Sequence, residues 1–116
     1  MNCCFIILAG GESKRFNSKL PKLYQLYKGK PLILHSIHKA KKYRKFNKVV
    51  LVINKKHMTY INKLKIKGIK IIFGGKTRAE SAYNGLKSIK NYKVKNVMIH
   101  DAARPNFSLK LTYIVL

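Results

Sequence analysis

The sequence has 116 residues, of which 47% are hydrophobic and 25% charged, and its formal net charge is +23. A chain of this length and apolar content is enough for one folded domain, which excludes an intrinsically disordered protein. No apolar run reaches the roughly 18 residues that a transmembrane helix needs, and no basic segment precedes the first apolar run as it would in a signal peptide. We therefore predict a cytoplasmic protein with no membrane partner.

The positive charge comes mostly from lysines that are spread over the whole sequence. Such a charge by itself suggests a nucleic-acid partner. The lysines are not interleaved with stacking aromatic residues, however, as a single-strand binder requires. Lys, Ile and Asn are all encoded by A/T-rich codons, so a drift in base composition produces the same excess. We predict no specific nucleic-acid partner, with a basic, non-catalytic nucleic-acid-binding module as the alternative.

Apolar runs alternate with amphipathic stretches along the chain. In chain order, we predict a strand at Cys3–Leu8, a helix at Pro31–Tyr43, a strand at Val49–Ile53, a short helix at His57–Leu64, a strand at Ile69–Phe73, a helix after Thr77, a strand at Asn96–Ile99 and a helix at Leu109–Val115 capped by Ser108. Thr77 followed by Glu80 is a capping-box pattern. Strands that alternate with helices at this spacing indicate parallel βαβ units, and therefore an α/β fold: a three-layer sandwich around a Rossmann-like, mostly parallel sheet.

The rarest charged residues of the chain fall in three short segments: LAGGESKRF (8–16), GGKTRAES (74–81) and HDAARP (100–105). These segments hold all three acidic residues and three of the four arginines. Arginine differs from lysine in its planar fork, which binds phosphate or carboxylate in a bidentate manner. Each segment follows a predicted strand, and ligands of parallel sheets bind beyond the carboxyl ends of the strands. We expect the three segments to converge at one edge of the sheet.

Each segment has a functional and a structural interpretation. The glycine pair Gly10-Gly11 lets the backbone approach an anion closely, but a glycine-rich turn after a strand is just as often only a turn. A second glycine pair precedes the helix after Thr77, and it is either an anion site or a loop with a structural cap. Asp101 could accept hydrogen bonds from a sugar hydroxyl, hold a metal ion, or pair with Arg104 in a loop salt bridge.

The three segments, together with LPKLYQLYKGKPLILHSI (20–37) between them, resemble the 2-C-methyl-D-erythritol 4-phosphate cytidylyltransferase family. The resemblance implies a fold of the nucleotide-diphospho-sugar transferase type. It also implies the conversion of CTP and 2-C-methyl-D-erythritol 4-phosphate to 4-diphosphocytidyl-2-C-methyl-D-erythritol and pyrophosphate, in non-mevalonate isoprenoid precursor biosynthesis. Ribitol-5-phosphate cytidylyltransferase shares most of the pattern and is the alternative.

The length of this family bears on the domain and its partners. Its domain is about twice as long as this chain, so the resemblance implies that residues 1–116 are a single partial domain, the CTP-binding half, with the C-terminal part missing. The family is homodimeric, and its substrates are CTP and a sugar-alcohol phosphate. The activity and the oligomeric state of this chain stay open.

The resemblance also implies roles for single residues. In the first segment, Ala9, Gly10 and Gly11 would wrap the cytosine and the triphosphate. Arg15 and Lys22 would be the catalytic residues, because they would bind the phosphates and stabilise the charge that builds on the α-phosphoryl group.

The other two segments would supply the rest of the nucleotide site. Gly75 and Ser81 would read the edge of the base, and Asp101 with Ala102 would hold the ribose. Arg78 and Arg104 would support these contacts. The implied cofactor is Mg²⁺, held mainly by CTP itself, with Asp101 as the possible protein ligand.

Overall fold

The computed structural model describes residues 3–10, 20–42, 46–90, 92, 94, 96–102 and 113–115. The elements in chain order are β1 (Cys3–Ala9), β2 (Leu26–Tyr27), β3 (Lys30–Pro31), α1 (Leu32–Lys42), β4 (Phe46–Ile53), α2 (Met58–Leu64), β5 (Lys70–Phe73), α3 (Arg78–Ser88), β6 (Asn96–Asp101) and β7 (Tyr113–Val115). Single 3-10 turns lie at Lys22–Tyr24 and Lys55–His57. In the part of the chain described, no helix is long and apolar enough to cross a membrane.

Five strands form the main sheet in the order β5-β4-β1-β6-β7. Strands β1, β4, β5 and β6 are parallel, whereas β7 runs antiparallel to β6. The central strand β1 pairs on both sides, with Ile6 opposite Val50 of β4 and Ile99 of β6. Every residue of β1 is buried, as its continuous apolar run predicts for a strand covered on both faces. The predicted mostly parallel α/β sheet is confirmed.

The two faces of the sheet carry different helices. On one face, α1 and α2 pack against a cluster that includes Phe5, Ile7 and Leu51. On the other face, the cluster includes Ile6 and Val52, and partly buried residues of α3 pack against it. The molecule is therefore the three-layer sandwich that the alternation of strands and helices predicts.

A small hairpin, β2–β3, precedes α1 and was not predicted from the sequence. Its two-residue turn is Lys28-Gly29, where φ is 49° and 86°, as the tight turns that join antiparallel strands require. Pro31 ends β3, so the prediction that it occupies the first turn of the helix is wrong, and α1 begins at Leu32. The hairpin is held on α1 by His38, whose Nδ1 lies 2.9 Å from Lys30 Nζ. Burial, and then the charge of Lys30, lower the pKa of His38.

The helix predicted at Leu109–Val115 is also wrong over its described residues. Tyr113–Val115 form β7, which pairs with β6 so that Ile114 lies opposite Val97. An aromatic residue followed by two β-branched residues favours an extended chain, and pairing with β6 stabilises that conformation. The predicted cap Ser108 lies outside the described residues.

Candidate functional site

A cleft of about 230 Å³ lies at the carboxyl edge of the sheet. The described residues that line it are Leu8, Gly10, Gly75, Lys76, Thr77, Arg78, Ser81 and Asp101. These residues come from the end of β1, from the turn between β5 and α3, and from the end of β6. The expected convergence of the three segments is confirmed for the residues that the structure describes.

The start of α3 is fixed by a reciprocal cap. Thr77 is extended, and its Oγ1 accepts a hydrogen bond from the Glu80 backbone N–H at 3.1 Å. The Glu80 carboxylate accepts in turn from the backbone N–H of Lys76 at 3.0 Å, one residue before the cap residue. The Thr77 half of the predicted capping box is thus present, whereas the Glu80 side chain reaches the N–H of Lys76 rather than that of Thr77. The two bonds hold the turn from Gly74 to Thr77 against the first turn of the helix.

Ser81 is buried behind this turn and ties two segments of the cleft together. Its hydroxyl accepts a hydrogen bond from the Gly75 backbone N–H at 3.1 Å. A Cβ on Gly10 would lie 3.0 Å from Ser81 Oγ, and a Cβ on Gly74 would overlap the same atom. Because Gly10 and Gly74 have no Cβ, the backbone at both positions can pack directly against the Ser81 side chain. A hydroxyl that accepts one hydrogen bond still carries a proton that it can donate to a ligand.

An ion pair crosses the cleft between two of the segments. Arg78 Nε donates to Asp101 Oδ1 at 3.1 Å, and the two side chains are 64% and 38% exposed. An exposed pair of this kind contributes little to stability, so a ligand can displace it at small cost. The alternative partner that the sequence suggested for Asp101, Arg104, lies outside the described residues.

The described lining of the cleft carries both charged and hydrogen-bonding groups. Lys76 and Arg78 contribute positive charge and Asp101 contributes a carboxylate. Its described lining holds no histidine or cysteine, and the described residues contain no group of three or more His, Cys, Asp or Glu side chains placed to hold a metal ion. Such a site suits a ligand that is recognised by hydrogen bonds and positioned by charge.

The remaining predicted site residues lie elsewhere or outside the described chain. Ala9 is buried and its side chain packs in the core, so only its backbone could serve a ligand. Lys22 opens the 3-10 turn after Pro21, is half-buried, and is not among the residues that line the cleft. Gly11, Arg15 and Arg104 lie outside the described residues.

Two polar residues that the sequence reasoning missed hold the backbone of the site. Asn54, at the end of β4, donates from Nδ2 to the Gly10 carbonyl at 3.4 Å. Ser36 of α1 donates to the carbonyl of Ala102 at 2.9 Å. A signal for Ser36 existed in the sequence, since it falls on the buried stripe of a helix between Ile33 and Ile37.

The chain is similar both to curated proteins and to solved structures, and the relatives given below carry the same enzyme name. The chain is 76% identical over 111 residues to the bifunctional enzyme IspD/IspF of Pelagibacter ubique, which covers 96% of this chain and 30% of that enzyme. It is 39% identical to the 2-C-methyl-D-erythritol 4-phosphate cytidylyltransferase of Dictyoglomus thermophilum, over 90% of this chain and 46% of that protein. The crystal structure of the Francisella tularensis enzyme (IspD) superimposes with a TM-score of 0.70 at 33% identity, over 94% of this chain and 48% of that one.

The chain therefore spans between about a third and a half of the length of these relatives. Within that span the similarity is nearly continuous. The model of the family IspD, 2-C-methyl-D-erythritol 4-phosphate cytidylyltransferase, matches residues 3–115, which include all the described residues that line the cleft. This chain belongs to the 2-C-methyl-D-erythritol 4-phosphate cytidylyltransferase family.

Proposed function

We propose that residues 1–116 form the CTP-binding half of a cytidylyltransferase that converts CTP and 2-C-methyl-D-erythritol 4-phosphate to 4-diphosphocytidyl-2-C-methyl-D-erythritol and pyrophosphate, in non-mevalonate isoprenoid precursor biosynthesis. One observation carries the proposal. Gly10, Gly75, Ser81 and Asp101, four of the positions that the sequence resemblance assigns to CTP, line a single cleft. The names of the relatives support the same reaction over ribitol-5-phosphate transfer.

In this proposal the two sides of the cleft bind different parts of the nucleoside. Ser81 and the backbone around Gly75 read the edge of the cytosine, because the hydroxyl and the peptide groups offer both donors and acceptors there. Asp101 accepts a hydrogen bond from the ribose on the opposite side. Arg78, which pairs with Asp101 at 3.1 Å, turns from the carboxylate toward the ligand or keeps the carboxylate oriented.

The triphosphate lies along the glycine-rich segment that continues from Gly10 through Gly11. Arg15 and Lys22 bind the phosphates and stabilise the charge that builds on the α-phosphoryl group. An oxygen of the sugar-alcohol phosphate attacks the α-phosphorus in line, the bond to the bridging oxygen breaks, and pyrophosphate leaves. Such a transfer depends on positioning and on cations rather than on a general base. The absence of histidine from the described lining of the cleft is consistent with that chemistry.

Magnesium is the proposed cofactor, and the residues of the cleft fit it. Asp101 is a single, partly exposed carboxylate at the cleft, and Mg²⁺ in nucleotide sites is commonly held by one or two carboxylates together with the phosphates of the substrate. Once bound, the ion would neutralise charge on the triphosphate. Asp101 would orient it from the protein side.

The test is nucleotide binding to this chain, measured by calorimetry at 150 mM salt with CTP, UTP and ATP, each in the presence of Mg²⁺. All three carry the same triphosphate, so the general attraction of a chain of charge +23 is the same for each. We expect CTP to bind at least about tenfold more tightly than the other two, a difference of about 1.4 kcal/mol. Equal affinity for the three nucleotides would contradict the proposal.

A matched pair of serine variants sharpens this test. Ser81→Ala removes the hydroxyl in the cleft and should abolish most of the preference for CTP. Ser88→Ala removes a hydroxyl that donates to the Gly85 carbonyl at 2.7 Å near the end of α3, and it should leave the preference unchanged.

The second substrate, the partners and the location are proposals of the same kind. Pyrophosphate release from CTP, compared between 2-C-methyl-D-erythritol 4-phosphate and ribitol 5-phosphate in a protein that carries the family's remaining residues as well, tests the substrate. We propose no specific nucleic-acid partner. Binding of RNA or DNA that weakens steeply with salt, with no effect of CTP, would favour the basic nucleic-acid-binding module instead. The cytoplasmic location stays a prediction.

A further inference from the structure

Ser36 is a polar residue on the buried face of α1. This helix buries Leu32, Ile33, Ser36, Ile37 and Ala40, and the serine is 0% exposed. A buried hydroxyl without a partner is costly, so a serine in the middle of a helix commonly bonds to a carbonyl of its own preceding turn. Ser36 instead donates to the carbonyl of Ala102, a residue 66 positions later in the chain, at 2.9 Å.

Ala102 is held from both sides of its backbone. Its N–H donates to the carbonyl of Leu8 at 2.8 Å, and its own carbonyl accepts from Ser36. Leu8 and Asp101, which directly precedes Ala102, both line the cleft, whereas Ala102 is buried behind them. The two hydrogen bonds therefore fix the point at which the chain leaves β6, and with it the backbone that carries the Asp101 carboxylate.

We propose that Ser36 is a positioning residue for the nucleotide site, acting through Ala102 on Asp101. The proposal rests on the proposed function, because it takes Asp101 to be a contact of CTP. Ser36 itself touches no ligand, since its side chain is fully buried on the inner face of α1. Its hydroxyl selects one orientation of the peptide that carries the Ala102 carbonyl, the next peptide after the one that joins Asp101 to Ala102.

The effect of removing the Ser36 hydroxyl follows from the carbonyl of Ala102, which is a buried hydrogen-bond acceptor. In a Ser36→Ala variant this buried acceptor loses its only hydrogen bond that the structure describes, and a buried acceptor without a partner destabilises the conformation that buries it. The turn can recover that energy by rotating the carbonyl toward water, which displaces Asp101 from the cleft. CTP affinity should then fall by about tenfold, which corresponds to about 1.4 kcal/mol.

The experiment is a double-mutant cycle on CTP binding in this chain, with Ser36→Ala and Asp101→Ala made singly and together. If the serine acts through Asp101, Ser36→Ala weakens CTP binding about tenfold in the parent and less than about twofold in the Asp101→Ala background. A merely structural loss of stability would weaken binding equally in both backgrounds. Ser88→Ala is the control, because it removes a serine-to-carbonyl bond that is local to the last turn of α3 and should leave CTP affinity unchanged.

A second measurement does not depend on CTP. Amide hydrogen exchange of Ala102 should become at least about tenfold faster in Ser36→Ala, relative to the amides of β1, and should not change in Ser88→Ala. If the parent chain fails to bind CTP, the proposed function fails, and this exchange rate still tests the positioning role. If Ser36→Ala does not fold, Ser36→Cys replaces it, since a thiol has nearly the same shape and is a weak donor.

Two results would overturn the inference. One is an unchanged exchange rate of the Ala102 amide in the folded variant. The other is an equal loss of CTP affinity with and without Asp101.

Discussion

The hydroxyl of Tyr24 is a buried polar group with no hydrogen-bond partner in the structure described. The ring stacks on Tyr60 with centroids 4.9 Å apart and meets the edge of His57 at 5.4 Å. Burial, followed by the neighbouring Tyr60, raises the pKa of Tyr24 to about 12. The raised pKa reflects how poorly this site would accommodate the phenolate, and the described contacts of Tyr24 are made by its ring rather than its hydroxyl.

Tyr24→Phe is expected to raise the free energy of unfolding by about 1 kcal/mol, because it removes an unsatisfied buried group and keeps the stacked ring. Urea unfolding followed by circular dichroism measures the change. Tyr83→Phe, at a side chain that is 64% exposed, is the control and should change stability by less than about 0.5 kcal/mol. A loss of stability in Tyr24→Phe would mean that the hydroxyl has a partner, such as an ordered water.

Single residues of the site differ in how far the sequence could predict them. Gly75 and Asp101 could be predicted, because a glycine pair and a carboxylate directly after predicted strands stand out in a chain whose charge is mostly lysine. The buried position of Ser36 could be predicted from its place on the helix. The partners of Ser36 and Asn54 could not, because Ala102 and Gly10 are 66 and 44 positions away. A hydrogen bond over that distance depends on how the layers pack, which no local pattern specifies.

At the scale of elements, α3 packs closely against the sheet at Gly85. A Cβ on Gly85 would lie 2.9 Å from Ile6 Cγ2 and 3.3 Å from Val52 Cγ2. Both contacts are with branched side chains in the middle of the sheet, which cannot rotate away from the helix. The glycine is therefore required by packing, although it is a poor helix former.

Gly85→Ala should lower the free energy of unfolding by about 1–3 kcal/mol, because overpacking outweighs the gain of about 1 kcal/mol in helix propensity. Lys87→Ala, at an exposed position of the same helix, is the control for propensity and should change stability little. Thermal and urea unfolding give the comparison. A more stable Gly85→Ala variant would show that the helix can move outward at no cost.

The elements that the sequence predicts well are those with a clear local signal, either a continuous apolar run or a helix cap. Strands β1, β4, β5 and β6 and helix α3 follow from continuous apolar runs or from a cap, and each lies within a few residues of its predicted bounds. Strands β2, β3 and β7 have only two or three residues each, which is too short for a recognisable hydrophobic pattern. Their conformation comes from a turn at positive φ and from pairing with β6, which are tertiary rather than local effects.

At the scale of the whole molecule, the charge is distributed unevenly. The chain has 26 basic and 3 acidic residues, and the two described acids, Glu80 and Asp101, both lie at the cleft edge of the sheet. Their carboxylates bond to the Lys76 backbone and to Arg78. Among the described residues, the exposed lysines away from this edge therefore have no carboxylate of Glu80 or Asp101 beside them, and their mutual repulsion destabilises the compact state.

The stability of the chain should consequently increase with ionic strength. Raising NaCl from 20 to 500 mM shortens the Debye length from roughly 20 Å to below 5 Å, which screens repulsion between surface lysines more in the compact state than in the expanded chain. We expect the free energy of unfolding in urea, an uncharged denaturant, to rise by about 1 kcal/mol or more over this range. A triple variant, Lys63→Gln, Lys87→Gln and Lys90→Gln, lowers the charge from +23 to +20 and should show a smaller salt dependence with higher stability at 20 mM. A stability that stays flat or falls with salt would mean that specific ion pairs, rather than net repulsion, dominate the electrostatics of the fold.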